Sequence, residues 1–430
     1  MELAVHTLGC KLNQSETSAI ATNFESNGFQ VTNLKRGGDV VLINSCTVTE
    51  TADQECRKLV RRALRANPEA FVIVTGCYAQ LQPEEVASID GVDLVLGSAE
   101  KYQALELAGD LEKRDVPLVK VGDIGSSSFI GPGLTRPGGN KTRAFLKVQD
   151  GCDYSCSFCT IPKARGASRS IPMATCLKQA RTAVMNGFQE IVLTGVNLGD
   201  YGRKDASTFY ELLEALHEVR GLKRLKISSI EPNLLTDEII SMAAKSNRLV
   251  PHFHIPLQSG SDRILGKMRR RYRSSLYADR VEKIVSSMPH AAIGVDVISG
   301  FPGETDRDFQ DTVEFLENLP VTYLHPFTYS EREDTPAAVF NGRINRRDRT
   351  HRTNVLRELS KKKSLAHALN HKNDTRPVLF ETQLADGRLT GWTDNYIRVA
   401  VPADTAVTGI VRQVRIGGVK DGLSEGWIEA

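Results

Sequence analysis

Short apolar runs punctuate the first 120 residues of the chain. LAVHTLG (3–9), DVVLINS (39–45), FVIVTG (71–76) and VDLVLG (92–97) read as buried strands, with polar, helix-compatible segments at 14–27, 50–66 and 83–89 between them. Pro83 followed by Glu84 and Glu85 makes a good helix start, because proline loses no hydrogen bond there and the acids face the positive end of the helix dipole. Strand–helix alternation predicts a parallel α/β sheet. Residues 121–142, VGDIGSSSFIGPGLTRPGGNKT, are rich in Gly, Ser and Pro and read as a linker.

Six further strand candidates follow: AFLKVQ (144–149), EIVLTG (190–195), LKRLKISS (222–229), PHFHIPLQ (251–258), AAIGVDVIS (291–299) and TYLHPFTY (322–329). Helical stretches such as 206–219, 235–246, 276–287 and 305–318 separate them, which predicts a partial (βα)6 TIM-like barrel over residues 143–370. From 371 to 430 the pattern changes to short β-formers broken by Gly and Asp, the signature of a small β-barrel. The fold class is therefore α/β: a parallel α/β domain at 1–120, a linker at 121–142, a barrel at 143–370 and a β-barrel at 371–430.

A length of 430 residues suits two or three domains, and the composition is that of a soluble globular protein. No run approaches ~18 consecutive apolar residues, and the start MELAVHTLGC has no basic stretch ahead of a long apolar one. These features point to the cytoplasm and away from membranes. The formal charge of +3 says little about partners, but residues 343–376 hold eleven Lys and Arg against three acids. That stripe, with Arg343, Arg346 and Arg347 at its start, is a candidate phosphate-facing surface.

Cysteines carry the chemistry. Cys152, Cys156 and Cys159 stand at CxxxCxxC directly after the first barrel strand, at the sheet end where such barrels place their active sites. Three thiolates on one loop can hold three irons of a cubane [4Fe–4S] cluster and leave the fourth iron open. A zinc knuckle needs a fourth ligand nearby, and a disulfide leaves an odd thiol. Phe158 can shield the cluster, and Gly151 lets the backbone turn tightly. Cys10, Cys46 and Cys77 each fall one residue past an N-terminal strand, at the carboxyl edge of the predicted sheet. Three thiols at equivalent strand ends imply a second open cluster, whereas Cys56 and Cys176 read as core cysteines.

The CxxxCxxC stretch resembles the signature loop of radical S-adenosylmethionine (SAM) enzymes. The whole chain resembles the methylthiotransferase family. GCKLNQSE (9–16), NSCTVTETAD (44–53) and TGCYAQ (75–80) are similar to its N-terminal domain. GCDYSCSFCTIPKARG (151–166), LTGVNLGDYG (193–202), HIPLQSGSDRILGKMRRRY (254–272) and DVISGFPGET (296–305) are similar to its radical SAM barrel, and DGRLTGWTDNYIRV (386–399) to its RNA-binding TRAM domain. GCKLN, CTVTETAD and SSIEP (228–232) resemble the branch acting on threonylcarbamoyladenosine. The chain departs from the pattern at Glu333-Asp334, where the family carries a Gly before Thr-Pro.

The resemblance implies two [4Fe–4S] clusters and SAM as cofactors. One SAM is cleaved to a 5′-deoxyadenosyl radical at the cluster on Cys152, Cys156 and Cys159, and a second donates the methyl group. The cluster on Cys10, Cys46 and Cys77 holds or supplies sulfur. The product is the 2-methylthio derivative of N6-threonylcarbamoyladenosine at tRNA position 37. Phe158, Gly195, Asn197, Ser229, Glu231, Gln258, Asp296, Phe327 and Tyr329 are then candidate SAM or cofactor contacts. Asn13, Arg269, Arg271, Arg343, Arg346, Arg347, Trp392 and Tyr396 are candidate contacts to substrate, with Trp392 and Tyr396 as a stacking face. The implied partners are a tRNA anticodon stem-loop and an unidentified electron donor and sulfur source, with the chain acting as a monomer. Alternatives are action on N6-isopentenyladenosine in tRNA, action on a ribosomal-protein aspartate, and a non-catalytic iron–sulfur RNA-binding module.

Overall fold

The computed structural model describes residues 1–47, 49–127, 130–131, 134, 142–205, 207–403 and 407–429. Half of the predicted linker at 121–142 lies outside the described residues. The N-terminal sheet has six parallel strands in the spatial order Gln30–Asn33, Glu2–Thr7, Val40–Ser45, Phe71–Gly76, Leu94–Leu96 and Leu118–Lys120. The two edge strands, QVTN and LVK, are too short and too polar to stand out as apolar runs. The helix Glu50–Ala66 buries Cys56, Leu59, Val60 and Ala63 along one stripe, and the Thr49 side chain caps its first turn.

The helix Lys11–Ser26 behaves differently. Ile20 and Phe24 join the apolar cluster under the sheet, and Asn13 and Thr17 hydrogen-bond to its strand ends at Ser45 and Thr7. Ser15 and the Glu16 carboxylate, also buried, take partners from a second domain, the barrel. Its strands Ala144–Lys147, Glu190–Thr194 and Arg224–Ile227 form one parallel sheet, and His252–His254, Ala292–Ser299 and Tyr323–Thr328 form another. A parallel bridge between Leu225 and Leu249 joins the two sheets into a six-stranded arc.

A 25-residue helix, Arg346–Asn370, closes the arc and leads into five strands that form a closed barrel: Thr375–Gln383, Arg388–Thr393, Arg398–Pro402, Leu423–Ile428 and Val411–Lys420. This small barrel docks at the amino ends of the larger barrel's strands. Arg224 donates to the Trp392 and Thr393 carbonyls at 3.1 Å each, and Asn395 donates to the His290 carbonyl at 3.1 Å.

A buried charge network joins the first two domains. The Glu16 carboxylate meets Lys101 at 2.7 Å, Lys147 at 3.0 Å and Arg165 at 3.0 Å. Asp150 completes it, 2.6 Å from Lys147 and 3.0 Å from Arg165. All five residues are buried. Burial alone would push the Glu16 and Asp150 carboxyls up, but the surrounding cations hold Glu16 well below 4.5 and bring Asp150 from 3.8 down to about 2.

Glu16→Gln strands three buried cations around one carboxylate and should cost about 3–5 kcal/mol, measured by thermal or urea unfolding. Both carboxyls titrate lower in the folded chain than in the unfolded one. Their stabilisation is thus complete above about pH 4.5 and is lost as pH falls towards 2. Glu16→Gln should flatten that acid limb in the metal-free protein, and an unchanged stability and acid limb would contradict the network's role.

Candidate functional site

Cys10, Cys46 and Cys77 follow three adjacent parallel strands, Glu2–Thr7, Val40–Ser45 and Phe71–Gly76. Neighbouring strands lie ~4.8 Å apart, so the sheet sets these three thiols side by side along its carboxyl edge. The turns that aim them need glycine. Gly9 has φ +89°, and a Cβ on it would sit 2.8 Å from the Cys46 Sγ. Gly76 has φ +97°, and its Cβ would strike the Ser45 carbonyl. Asn13 braces the same loops, donating to the Leu8 carbonyl at 2.9 Å and the Ser45 carbonyl at 3.0 Å while accepting from Arg165.

The second cysteine loop is anchored as firmly. Gly151 has φ +72°, and a Cβ on it would strike the Ala167 carbonyl. The Cys152 amide donates to the Gly166 carbonyl at 3.0 Å, and the Ser157 amide and hydroxyl donate to the Met268 and Lys267 carbonyls at 3.1 and 2.8 Å. Phe158 meets Phe301 edge to face with centroids 6.4 Å apart, so it pins the loop to a small apolar cluster. Arg270 donates to the Cys156 Sγ at 3.1 Å and pairs with Glu231. A guanidinium on a cysteine sulfur suits the anionic thiolate of a bound cluster.

Both loops suit a cubane. Among the described residues no three Cys, His, Asp or Glu side chains converge tightly enough for a single metal ion. Three thiolates that each take a different iron stand farther apart than that. Burial pushes the Cys152 thiol up to about 11 and the Cys159 thiol up to about 12, so as free thiols they are poor nucleophiles. The charge network supplies three cations against two carboxylates, and its Arg165 faces Cys77. An anionic cluster on Cys10, Cys46 and Cys77 would be balanced by that excess.

A cavity of about 200 Å³ lies beside the barrel loop and is lined by Phe158, Cys159, Gln258, Asp296, Phe327 and Tyr329, together with Thr49 from the N-terminal domain. Residues from four separate stretches of the barrel thus converge where strand ends and loops meet. Gln258 holds φ +69°, and its buried side-chain oxygen has no partner among the described residues. The Tyr329 hydroxyl is likewise buried and unpaired. Such orphaned groups suit a polar ligand. Asp296 accepts from the His254 Nε2 at 2.7 Å, and Phe327 is 43% exposed on the cavity wall. Thr49, Thr160 and residues 327–330 also line a larger space of about 1070 Å³, whose mouth carries Arg57, Arg343, Arg346, Arg349 and Arg357.

Gly195, Asn197, Ser229 and Glu231 sit at the second and third barrel strand ends and do not line the two cavities. The Gly195 turn is fixed by the Gln149 side chain, which accepts from the Val196 and Asn197 amides at 2.9 Å each. One carboxylate oxygen of Glu231 pairs with Arg270.

Three sequence expectations change. Asn13 is wholly used in bracing the cysteine loops and presents nothing to a substrate. Tyr396 turns inward, stacked between Trp392 at 4.4 Å and Tyr323 at 4.9 Å, so the pair docks two domains instead of forming an outward stacking face. The basic stripe is not uniform: Arg352 packs against the loop after the fifth barrel strand, pairing with Glu304 and Asp306, while Arg343 pairs with Glu331 at the cavity mouth. Arg346 and Arg347 stay exposed without an ion pair among the described residues. Arg269 and Arg271 lie on the barrel rim outside both cavities, with Arg271 stacked 3.9 Å over the Tyr154 ring.

Reading the sequence missed the Glu16 network and the role of Arg270. Asn13 and Glu16 stand three apart and so share a helix face, which was the available signal. Arg270 was hidden in the basic run RRRYR.

Comparison with known proteins agrees with this geometry. Residues 2–97 match the model described as "Uncharacterized protein family UPF0004", and residues 146–316 match the radical SAM superfamily. A threonylcarbamoyladenosine tRNA methylthiotransferase MtaB from Bacillus subtilis (strain 168) is 38% identical over 96% of this chain and 93% of its own length. One of the same name from Aquifex aeolicus (strain VF5) is 37% identical over 96% of this chain and 99% of its own. A tRNA-2-methylthio-N(6)-dimethylallyladenosine synthase from Syntrophus aciditrophicus (strain SB) is 30% identical over 88% and 83%. Among solved structures, a radical S-adenosylmethionine methyltransferase from Kitasatospora setae superposes with a TM-score of 0.56 at 15% identity, over 79% of this chain and 75% of that one, and so shares the fold. With near-complete coverage at this identity, matching domains and a matching fold, the chain belongs to the MtaB family of radical SAM methylthiotransferases.

Proposed function

We propose that this protein is a radical SAM methylthiotransferase that converts N6-threonylcarbamoyladenosine at position 37 of tRNA to its 2-methylthio derivative. The observation that carries the reading is the meeting of two three-cysteine loops across Asn13, Glu16 and Arg165, beside a cavity that opens to an arginine-lined mouth. Support for the substrate comes from the relatives at 37–38% identity that carry its name.

On this reading Cys152, Cys156 and Cys159 hold one [4Fe–4S] cluster, and Cys10, Cys46 and Cys77 hold the other. With SAM, these groups supply a carbon-centred radical, sulfur and a methyl group, chemistry beyond the reach of side chains. The chain's own residues position and shield. Gln258 and Tyr329 offer unpaired polar atoms to SAM, Phe327 offers an aromatic face to an adenine, and Phe158 keeps water from the cysteine loop. Arg270 holds positive charge on the Cys156 sulfur, and Glu231 holds Arg270. At the mouth, Arg346 and Arg349 face the phosphates of a stem-loop that inserts its modified base. The chain works in the cytoplasm as a monomer and draws electrons and sulfur from donors outside itself. The described residues contain no helix long and apolar enough to cross a membrane.

The reconstituted protein, reduced with SAM and a sulfide source, should add a methylthio group to a stem-loop bearing threonylcarbamoyladenosine, read by mass spectrometry. Preference for an isopentenyladenosine stem-loop would overturn the substrate assignment. Arg270→Met should make the barrel cluster harder to reduce, because a cationic donor to its thiolate is lost. An unmoved midpoint potential by redox-titrated EPR would contradict that role. Arg346→Glu with Arg347→Glu should weaken stem-loop binding and make the salt dependence shallower by a log–log slope of roughly 1 to 2, and an unaltered slope would remove this end of the helix from the RNA contact.

A further inference from the structure

Two lysines inside the molecule have no acid of their own. Lys11 follows Cys10 at the start of the helix Lys11–Ser26. It lies within electrostatic range of Asp296, Glu190 and Arg143, three residues of the barrel, and is half-buried. Lys226 comes from the third barrel strand and is 4% exposed. Its strongest charged neighbour is Lys11. Among the described residues neither side chain makes a hydrogen bond or ion pair, and Lys226 only lies over the Tyr396 ring, 4.2 Å from its centroid.

The nearby acids are already taken. Glu190 pairs with Arg224 at 2.7 Å and Arg143 at 3.4 Å, and Asp296 pairs with His254 at 2.7 Å. The floor is closed by Tyr396, Tyr323 and His252, whose rings stack against one another. Burial and mutual repulsion disfavour the charged form of both lysines. An anion held between two unpaired amines would restore their charge and take their hydrogen bonds.

Building on the function proposed above, we infer that Lys11 and Lys226 form the subsite for the carboxylate of the substrate's N6 substituent, which makes Lys11 a specificity-determining residue. A threonylcarbamoyl group ends in a carboxylate, whereas an isopentenyl group is a hydrocarbon and would leave both lysines bare. SAM also carries a carboxylate, but the cavity lined by Phe158, Cys159 and Gln258 lies at the carboxyl ends of the strands. Lys226 sits instead towards the amino ends, over the Tyr396 ring, with Lys11 within electrostatic range.

The test uses the full-length protein with both clusters in place and measures binding of one stem-loop in three forms. These bear threonylcarbamoyladenosine, its carboxyl methyl ester, or plain adenosine. Wild-type protein should bind the ester roughly 10- to 100-fold more weakly than the acid, the effect of losing charge-assisted hydrogen bonds. Lys11→Gln should bind acid and ester alike, and its SAM affinity should match wild type. The ester arm needs no variant, so a poorly folding Lys226→Met does not spoil the test. Equal wild-type binding of acid and ester would overturn the inference, as would a Lys11→Gln protein that loses SAM affinity while keeping its preference for the acid. Wild-type protein that methylthiolates the isopentenyl form and ignores the threonylcarbamoyl form would instead overturn the functional reading beneath it.

Discussion

Everything else in the architecture depends on Glu16. This one buried carboxylate takes Lys101 from its own domain and Lys147 and Arg165 from the barrel. Lys147 ends the strand that leads into Cys152, and Arg165 lies six residues past Cys159. The helix carrying Glu16 starts immediately after Cys10. A single cluster of ion pairs therefore sets the distance and angle between two cysteine loops that belong to different domains. Buried ion pairs add little net stability compared with apolar packing, yet breaking one is costly. The gain here is geometric: two loops are fixed in register by groups that cannot slide.

That constraint has consequences on both sides of the interface. Towards solvent, the N-terminal domain contributes Thr49 and Arg57 to walls that the barrel completes with Phe327 and Arg346, so the opening exists only because the two domains are locked. Towards the interior, the same docking carries Lys11 into the barrel beside Lys226, while the C-terminal barrel seals the far end with Trp392 and Tyr396. The cavities therefore open at the carboxyl ends of the strands while the C-terminal barrel covers the other end, an arrangement suited to a base inserted from a tRNA loop. Such an enclosed space excludes water from reactive chemistry and strengthens each electrostatic contact within it.

Most of the fold was legible because its signals are local. Apolar runs such as FVIVTG and EIVLTG gave strands, and a Gly–Cys step after a strand gave a turn that aims a thiol outward. The edge strands QVTN and LVK were silent, since pairing with neighbours and not composition makes them strands. The six cysteines were visible by position. What surrounds them was not, because ion pairs between residues 16 and 165, or a guanidinium from residue 270 on the sulfur of residue 156, are products of tertiary packing. Trp392 and Tyr396 misled for the same reason: an aromatic pair on a β-barrel reads as a stacking surface until a neighbouring domain covers it. The lysine at position 11 looked like an ordinary helix-start residue, and only the barrel's position gives it meaning.

The central claim is that both cysteine loops carry clusters facing one shared space, and electron paramagnetic resonance tests it most directly. Spectra of the fully reduced protein would be compared with those of two variants, one with Cys10, Cys46 and Cys77 replaced by alanine and one with Cys152, Cys156 and Cys159 replaced. The account predicts that the wild-type spectrum shows spin–spin interaction and differs from the sum of the two variant spectra. A wild-type spectrum equal to that sum, or a single cluster signal in the wild type, would contradict it.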